Sequence, residues 1–99
     1  MTKREIFNII NGVGENAKDN IGTAITVIFA TITKKTDGRP VAHFITNEKK
    51  HFASLANSVV EGVANMISTG FIPSETEPVE IVFTENEYED GTYISFEMV

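Results

Sequence analysis

Two histidines, His43 and His51, are the side chains of this sequence best suited to acid–base chemistry, because an imidazole changes its charge near neutral pH. Ser54 or Ser58 could act as a nucleophile beside a histidine base, but no spacing in the sequence defines such a pair. A zinc site needs further ligands, and the chain has no cysteine and neither an H-x-H nor an H-x-x-x-H spacing. We therefore expect no enzyme, no metal site and no cofactor, and we interpret both histidines as packing or surface residues.

Acidic side chains dominate the second half of the chain. Residues 51–99 contain nine acids and no Lys or Arg, for a net charge of −9, whereas residues 1–50 contain eight Lys and Arg against five acids, for a net charge of +3. Complementary charge speeds the encounter between proteins, so these acids predict docking on a basic site of a larger protein, such as a nucleic-acid-binding groove. The predicted partner-binding residues are Glu75, Glu77, Glu85, Glu87, Glu89 and Asp90.

Two other interpretations of this acidic segment are a calcium-binding loop and a solvated edge strand. A calcium loop fits poorly, because Glu stands where short Asp or Asn is favoured, Gly91 comes one position late and no Glu occupies the twelfth position. Alternatively, Glu85, Glu87 and Glu89, which alternate along one side of an extended strand, only keep an edge strand solvated and unpaired. The sequence does not separate this last interpretation from a docking surface.

A basic cluster supports an alternative function, the binding of a small anion such as a nucleotide by a homo-oligomer. The lysines near the second predicted helix oppose its dipole, which favours anions at that end. A phosphate loop is not indicated at Gly12–Gly14, because no strand precedes it. The net charge of −6 also argues against direct nucleic-acid binding. The predicted ligand-binding residues are Lys34, Lys35, Arg39, Lys49 and Lys50.

Length and composition predict one domain over residues 1–99. The chain is 41% hydrophobic and 22% charged, which is typical of an ordinary globular domain. The N-terminal residues lack the apolar stretch of a signal peptide, and no run reaches the roughly 18 apolar residues of a membrane helix. The absence of cysteine agrees with these observations, so we expect a cytoplasmic protein without membrane contact.

The first half of the chain predicts a helix and a hairpin. Thr2 and Glu5 form a capping box, and the apolar spacing that follows predicts a helix over residues 3–11, extendable to Lys18. Residues 23–34 are rich in β-branched side chains on both faces, which predicts a central strand or a homodimer contact. A turn at residues 36–39 leads to a second strand over residues 40–46.

The second half repeats the plan of helix and hairpin. The apolar spacing predicts a helix over residues 48–69, with Asn47 as its N-cap and Gly70 at its end. Strands at 79–84 and 92–98 follow, joined by a turn at Asp90. The expected fold is therefore a single α+β domain of helix–hairpin–helix–hairpin order (αββαββ), with a four-stranded antiparallel sheet and helices packed on it.

These features together predict a small acidic protein that binds other proteins and has no enzymatic activity. We expect an inhibitor or adaptor that docks its acidic C-terminal hairpin on a larger protein with a basic surface. Small, acidic, cysteine-free chains of this kind are typical of phage and other mobile-element antagonists of host machinery. The alternative is a homo-oligomer, for instance a homodimer, that binds a small anion.

Overall fold

Six strands form one mixed sheet, and the second of two helices packs on it. The computed structural model describes all residues from Met1 to Val99. The helices are α1 (Lys3–Ile10) and α2 (Asn57–Ser68), and a 3₁₀ turn spans Ala17–Asn20. The strands are β1 (Glu15–Asn16), β2 (Ala24–Lys34), β3 (Pro40–Thr46), β4 (His51–Ser54), β5 (Val79–Tyr88) and β6 (Gly91–Met98).

The strand order in the sheet is β1-β4-β3-β2-β5-β6. Every neighbouring pair is antiparallel except β1 and β4, which are parallel. The predicted four-stranded antiparallel αββαββ fold is therefore wrong in strand number and in topology, because it lacks β1 and β4. The predicted central position of the strand at 23–34 is confirmed, since β2 lies between β3 and β5. Neither helix is long and apolar enough to cross a lipid bilayer.

The largest difference from the prediction lies at residues 48–56, which were expected to begin the second helix. Lys49 adopts a left-handed conformation with φ of 63°, and the Thr46 hydroxyl accepts hydrogen bonds from the backbone N–H groups of Glu48 and Lys50. The chain therefore reverses here and returns as β4, which pairs with β3. Asn47 does not cap a helix, because α2 begins only at Asn57; the Asn47 N–H donates to the Thr26 carbonyl.

The end of α2 agrees with the prediction. Gly70 has a φ of +77°, its N–H donates to the Ile67 carbonyl, and the Phe71 N–H donates to the Met66 carbonyl. These two bonds form a Schellman motif, which satisfies carbonyl groups that a helix end leaves free. They also fix the position of the Phe71 side chain beside the end of the helix.

The first helix begins as predicted and ends earlier than its possible extension. The Thr2 hydroxyl accepts from the Glu5 N–H and the Glu5 carboxylate accepts from the Thr2 N–H, so the predicted capping box is confirmed. The helix ends at Ile10, and the possible extension to Lys18 is wrong. Residues 15 and 16 pair with β4 instead, because the edge of that strand offers free backbone partners.

The main hydrophobic core lies between α2 and the sheet. Phe44 of β3 is fully buried, and its ring meets the rings of Phe83 and Phe96 edge-on, with both centroid distances at 5.4 Å. Val59 and Val63 of α2 are also fully buried in this cluster. Edge-to-face contacts of this kind add about 0.5–1.5 kcal/mol to the free energy gained by burial. This core holds β3, β5 and β6 under one helix.

We predict that Gly62→Ala destabilises the fold. A Cβ atom at Gly62 would lie 2.6 Å from Cε1 of Phe96, so the Phe96 ring must move. Overpacking costs about 1–3 kcal/mol, whereas alanine gains about 1 kcal/mol of helix propensity. We expect a net loss of about 1 kcal/mol in the free energy of unfolding in urea. Ala64→Gly, at an exposed position of the same helix, measures the propensity term alone. A more stable Gly62→Ala protein would contradict the predicted contact.

Candidate functional site

The β5–β6 hairpin carries the predicted partner-binding surface. The two strands pair without a break from Ile81 opposite Met98 to Tyr88 opposite Gly91. The predicted turn at residues 89–91 is confirmed, and β5 extends four residues beyond its predicted end at Thr84. The longer ladder carries the acidic residues away from the core on a regular two-stranded arm.

The predicted acidic residues divide into two groups. Glu85 and Glu87 lie opposite Ile94 and Thr92 in the ladder, and Glu89 and Asp90 follow at the turn. All four acidic side chains are exposed. We call these four acids the hairpin tip cluster. They lie at the far end of the arm from the chain segment that enters β5.

Glu75 and Glu77 lie apart from the hairpin tip cluster. Both belong to the segment between α2 and β5, and the whole length of β5 separates them from the tip. Glu75 forms an ion pair with the N-terminal amine of Met1. Glu75 therefore makes a contact within the chain, and neither it nor Glu77 belongs to the surface formed by the tip.

Two tyrosines of the hairpin were not among the predicted site residues. The rings of Tyr88 and Tyr93 lie 5.9 Å apart, and the two residues are 55% and 42% exposed. Tyr88 lies on the same face of β5 as Asn86, which is opposite Tyr93, whereas Phe83 and Phe96 lie on the other face, towards α2. Both tyrosine rings are therefore on the sheet face away from α2. The sequence signal for this pair is the alternation of residues on either side of the turn, which becomes readable once the strand register is known. The tip therefore combines carboxylates with exposed aromatic rings.

The predicted ligand-binding residues do not converge within one chain. Lys34, Lys35 and Arg39 lie around the β2–β3 turn, whereas Lys49 and Lys50 lie beyond the other end of β3. Arg39 forms an ion pair with Asp37 at 3.0 Å. The Lys49 ammonium pairs with Glu5 of α1 at 2.7 Å, which lowers the pKa of that carboxyl.

The histidines form a buried hydrogen-bonded chain that ends at an exposed hydroxyl. Nδ1 of His43 lies 2.8 Å from Nε2 of His51, and Nε2 of His43 lies 2.7 Å from Oγ1 of Thr33. Nδ1 of His51 is buried without a hydrogen-bond partner, and a Cβ atom on Gly14 would lie 2.7 Å from it. The structure buries both histidines, whose packing role was predicted, but the placement of His51 in a helix is wrong.

Burial favours the neutral form of both histidines. It lowers the pKa of His43, with a smaller contribution from the charge of His51, and it also lowers the pKa of His51. The arrangement lacks a carboxylate that would stabilise an imidazolium, and no cluster of three or more His, Cys, Asp or Glu side chains is placed to hold a metal ion. The pair therefore stabilises the contact between β3 and β4 rather than forming a charged centre.

Comparisons with protein-family models, with curated proteins and with solved structures find no match to this chain.

The histidine pair predicts a loss of stability in mild acid. Because both pKa values are lowered from 6.5 in the folded state, the unfolded chain binds more protons than the folded chain as pH falls below 6.5. The free energy of unfolding should have its full value above pH 6.5 and should decrease as the pH falls towards 5. The decrease is at most about 1.4 kcal/mol per pH unit for each proton that the unfolded chain binds and the folded chain does not. Urea unfolding at several pH values measures this dependence. The double variant His43→Gln/His51→Gln should show a flatter dependence between pH 7 and 5, and an unchanged slope would contradict the assignment.

Proposed function

We propose that this chain is a small, acidic, non-enzymatic binding protein that docks its β5–β6 hairpin tip on a basic surface of a larger protein. The observation that carries this proposal is the composition of the tip. Four exposed acids and two exposed tyrosines lie at the tip, with the tyrosines on the sheet face opposite to that of Glu85 and Glu87, and the hairpin itself contains no Lys or Arg. A long regular ladder holds these groups in place, so binding requires little ordering of the arm.

The two kinds of side chain at the tip contribute differently to binding. Tyrosine is enriched among the residues that provide most of the binding energy in protein interfaces, because a rigid ring buries a large area. Carboxylates provide long-range attraction and raise the association rate with a basic partner. Acids spaced along a rigid arm also imitate the charge of a phosphate backbone, which suits a nucleic-acid-binding groove.

This proposal implies an inhibitor or an adaptor that acts in the cytoplasm. A protein that occupies a nucleic-acid-binding groove blocks that groove, as phage and other mobile-element antagonists of host proteins do. The absence of cysteine and of an apolar membrane-spanning helix supports this setting. The net charge of −6 supports a protein partner over direct binding to nucleic acid.

Charge reversal at the tip tests the proposal. We expect the triple variant Glu85→Lys/Glu87→Lys/Glu89→Lys to lose partners that the wild-type protein captures from a cell extract, with at least tenfold weaker binding to each purified partner. The melting temperature should change by no more than about 2 °C, because exposed charges contribute little to stability. Wild-type binding should also weaken as salt rises.

A matched control separates the tip from net charge. Reversal of three exposed acids outside the hairpin changes the net charge equally and should leave binding within about twofold. If the tip variant and this control bind the same partners equally well, the tip is not the docking surface. The control substitutions are Glu15→Lys, Glu48→Lys and Glu61→Lys.

A second candidate function is the binding of a small anion by an oligomer of this chain. Lys49 and Lys50 line a cleft of about 340 Å³ together with His51 and α1 residues Asn8 and Ile9. We expect inorganic phosphate or a nucleotide to raise the melting temperature by several degrees at saturation if this cleft binds anions. Lys50→Gln should remove that shift. No shift across a nucleotide panel would remove this candidate.

A further inference from the structure

The two edges of the sheet differ in how they are protected. The β1 edge is a strand of two residues, which offers little backbone to another chain. The β6 edge is eight residues long, and its ladder with β5 has no register shift. It contains no Lys, Arg or Pro and only one charged residue, Glu97. Proteins normally protect long edges with lysine, proline or bulges, so β6 is open to an added strand.

The hydrogen-bond register identifies the free backbone groups of β6. The Val99 N–H donates to the Glu80 carbonyl at 2.9 Å, so these two residues form a hydrogen-bonded pair. In an antiparallel ladder such pairs alternate, so every second residue of β6 directs its N–H and C=O away from β5. The residues with outward backbone groups are Thr92, Ile94, Phe96 and Met98.

An apolar groove of about 340 Å³ lies beside this edge, between β6 and α2. Its lining includes Phe96 and Met98 of β6, Gly62 and Met66 of α2, and Phe71. Phe71 is 52% exposed and Met98 is 46% exposed. Apolar side chains of an added strand would enter this groove, because they lie on the same sheet face as Phe96.

We propose that β6 accepts an extended, basic segment of the partner protein as a seventh strand, antiparallel to β6. This inference rests on the docking function proposed above and specifies its mode. Apolar side chains of the added segment occupy the groove, and its alternate Lys or Arg side chains meet Glu97 and the two tyrosines on the opposite face.

Charge complementarity selects this occupant over a second copy of the chain. Each copy of the chain carries a net charge of −6, so two copies repel each other. A basic segment instead gains attraction from Glu97 and, at longer range, from the hairpin tip cluster.

The peptide (Lys-Val)4, acetylated and amidated, is a direct probe because its length matches that of β6. When this peptide binds the isotope-labelled full chain at low salt, we expect the valines of the peptide to face the groove. The amide protons of Thr92, Ile94, Phe96 and Met98 should become protected from hydrogen exchange on binding. Those of Tyr93 and Ser95, already bonded to β5, should change little. The control peptide (Glu-Val)4 should bind at least tenfold more weakly.

N-methylation of the peptide separates strand addition from general attraction of opposite charges. In antiparallel addition the valines lie opposite the outward residues of β6, so their N–H groups form the new bonds. Methylation of all valine nitrogens should therefore abolish binding, and methylation of all lysine nitrogens should leave it within about threefold. The reverse pattern would indicate parallel addition, which would overturn the antiparallel direction but not the added strand. Equal effects of both modifications would overturn the inference.

The outcomes also distinguish this inference from the docking function itself. A purified partner could bind the wild-type chain and not the tip-reversed variant, while the outward amides of β6 stay unprotected in the presence of the partner and of the peptide. That result would support docking and would overturn strand addition. If partner binding does not depend on the tip, the docking function fails. A dimer in sedimentation whose outward amides are protected without peptide would show that a second copy occupies the edge, and would overturn the inference.

Discussion

The rest of this structure depends on the burial of β3 on both faces of the sheet. Phe44 is fully buried against α2, and Ile45, on the next position and the other face, is also fully buried. A strand in that position has no water to bond its backbone groups, so both of its edges need partner strands. The neighbours that pair with it, β2 and β4, provide those partners. This requirement draws residues 51–54 into the sheet.

The pairing of β4 with β3 in turn creates the histidine contact. His51 and His43 approach each other because β4 runs antiparallel beside β3. Their mutual hydrogen bond satisfies polar atoms that burial would otherwise leave unpaired, except for Nδ1 of His51. Gly14 lies against that nitrogen, so the approach of β1 to β4 depends on a residue without a side chain. A polar pair in this interior specifies the strand register as well as contributing stability.

The hairpin of β5 and β6 lies at the other end of the sheet and depends less on β3. Its base is held by Phe83 and Phe96 in the core, and its tip projects polar and aromatic side chains into solvent. The four acids at the tip are exposed, and exposed charges contribute little to the free energy of unfolding. The same division explains why an open edge is tolerated here, since the acids on the arm oppose its self-association.

Local signals in the sequence determined the capping box at Thr2, the end of α2 at Gly70, the turn at residues 36–39 and the charge asymmetry, because neighbouring residues alone produce these features. Tertiary structure decided the state of residues 51–54. The apolar spacing of Phe52, Leu55 and Val59 suits a helix, and only the unpaired edge of β3 makes the extended form more favourable. Tertiary structure likewise decided that the basic residues lie apart and that the two tyrosines meet, since both features depend on strand register. Register is set by contacts between residues distant in sequence, which a local pattern does not contain.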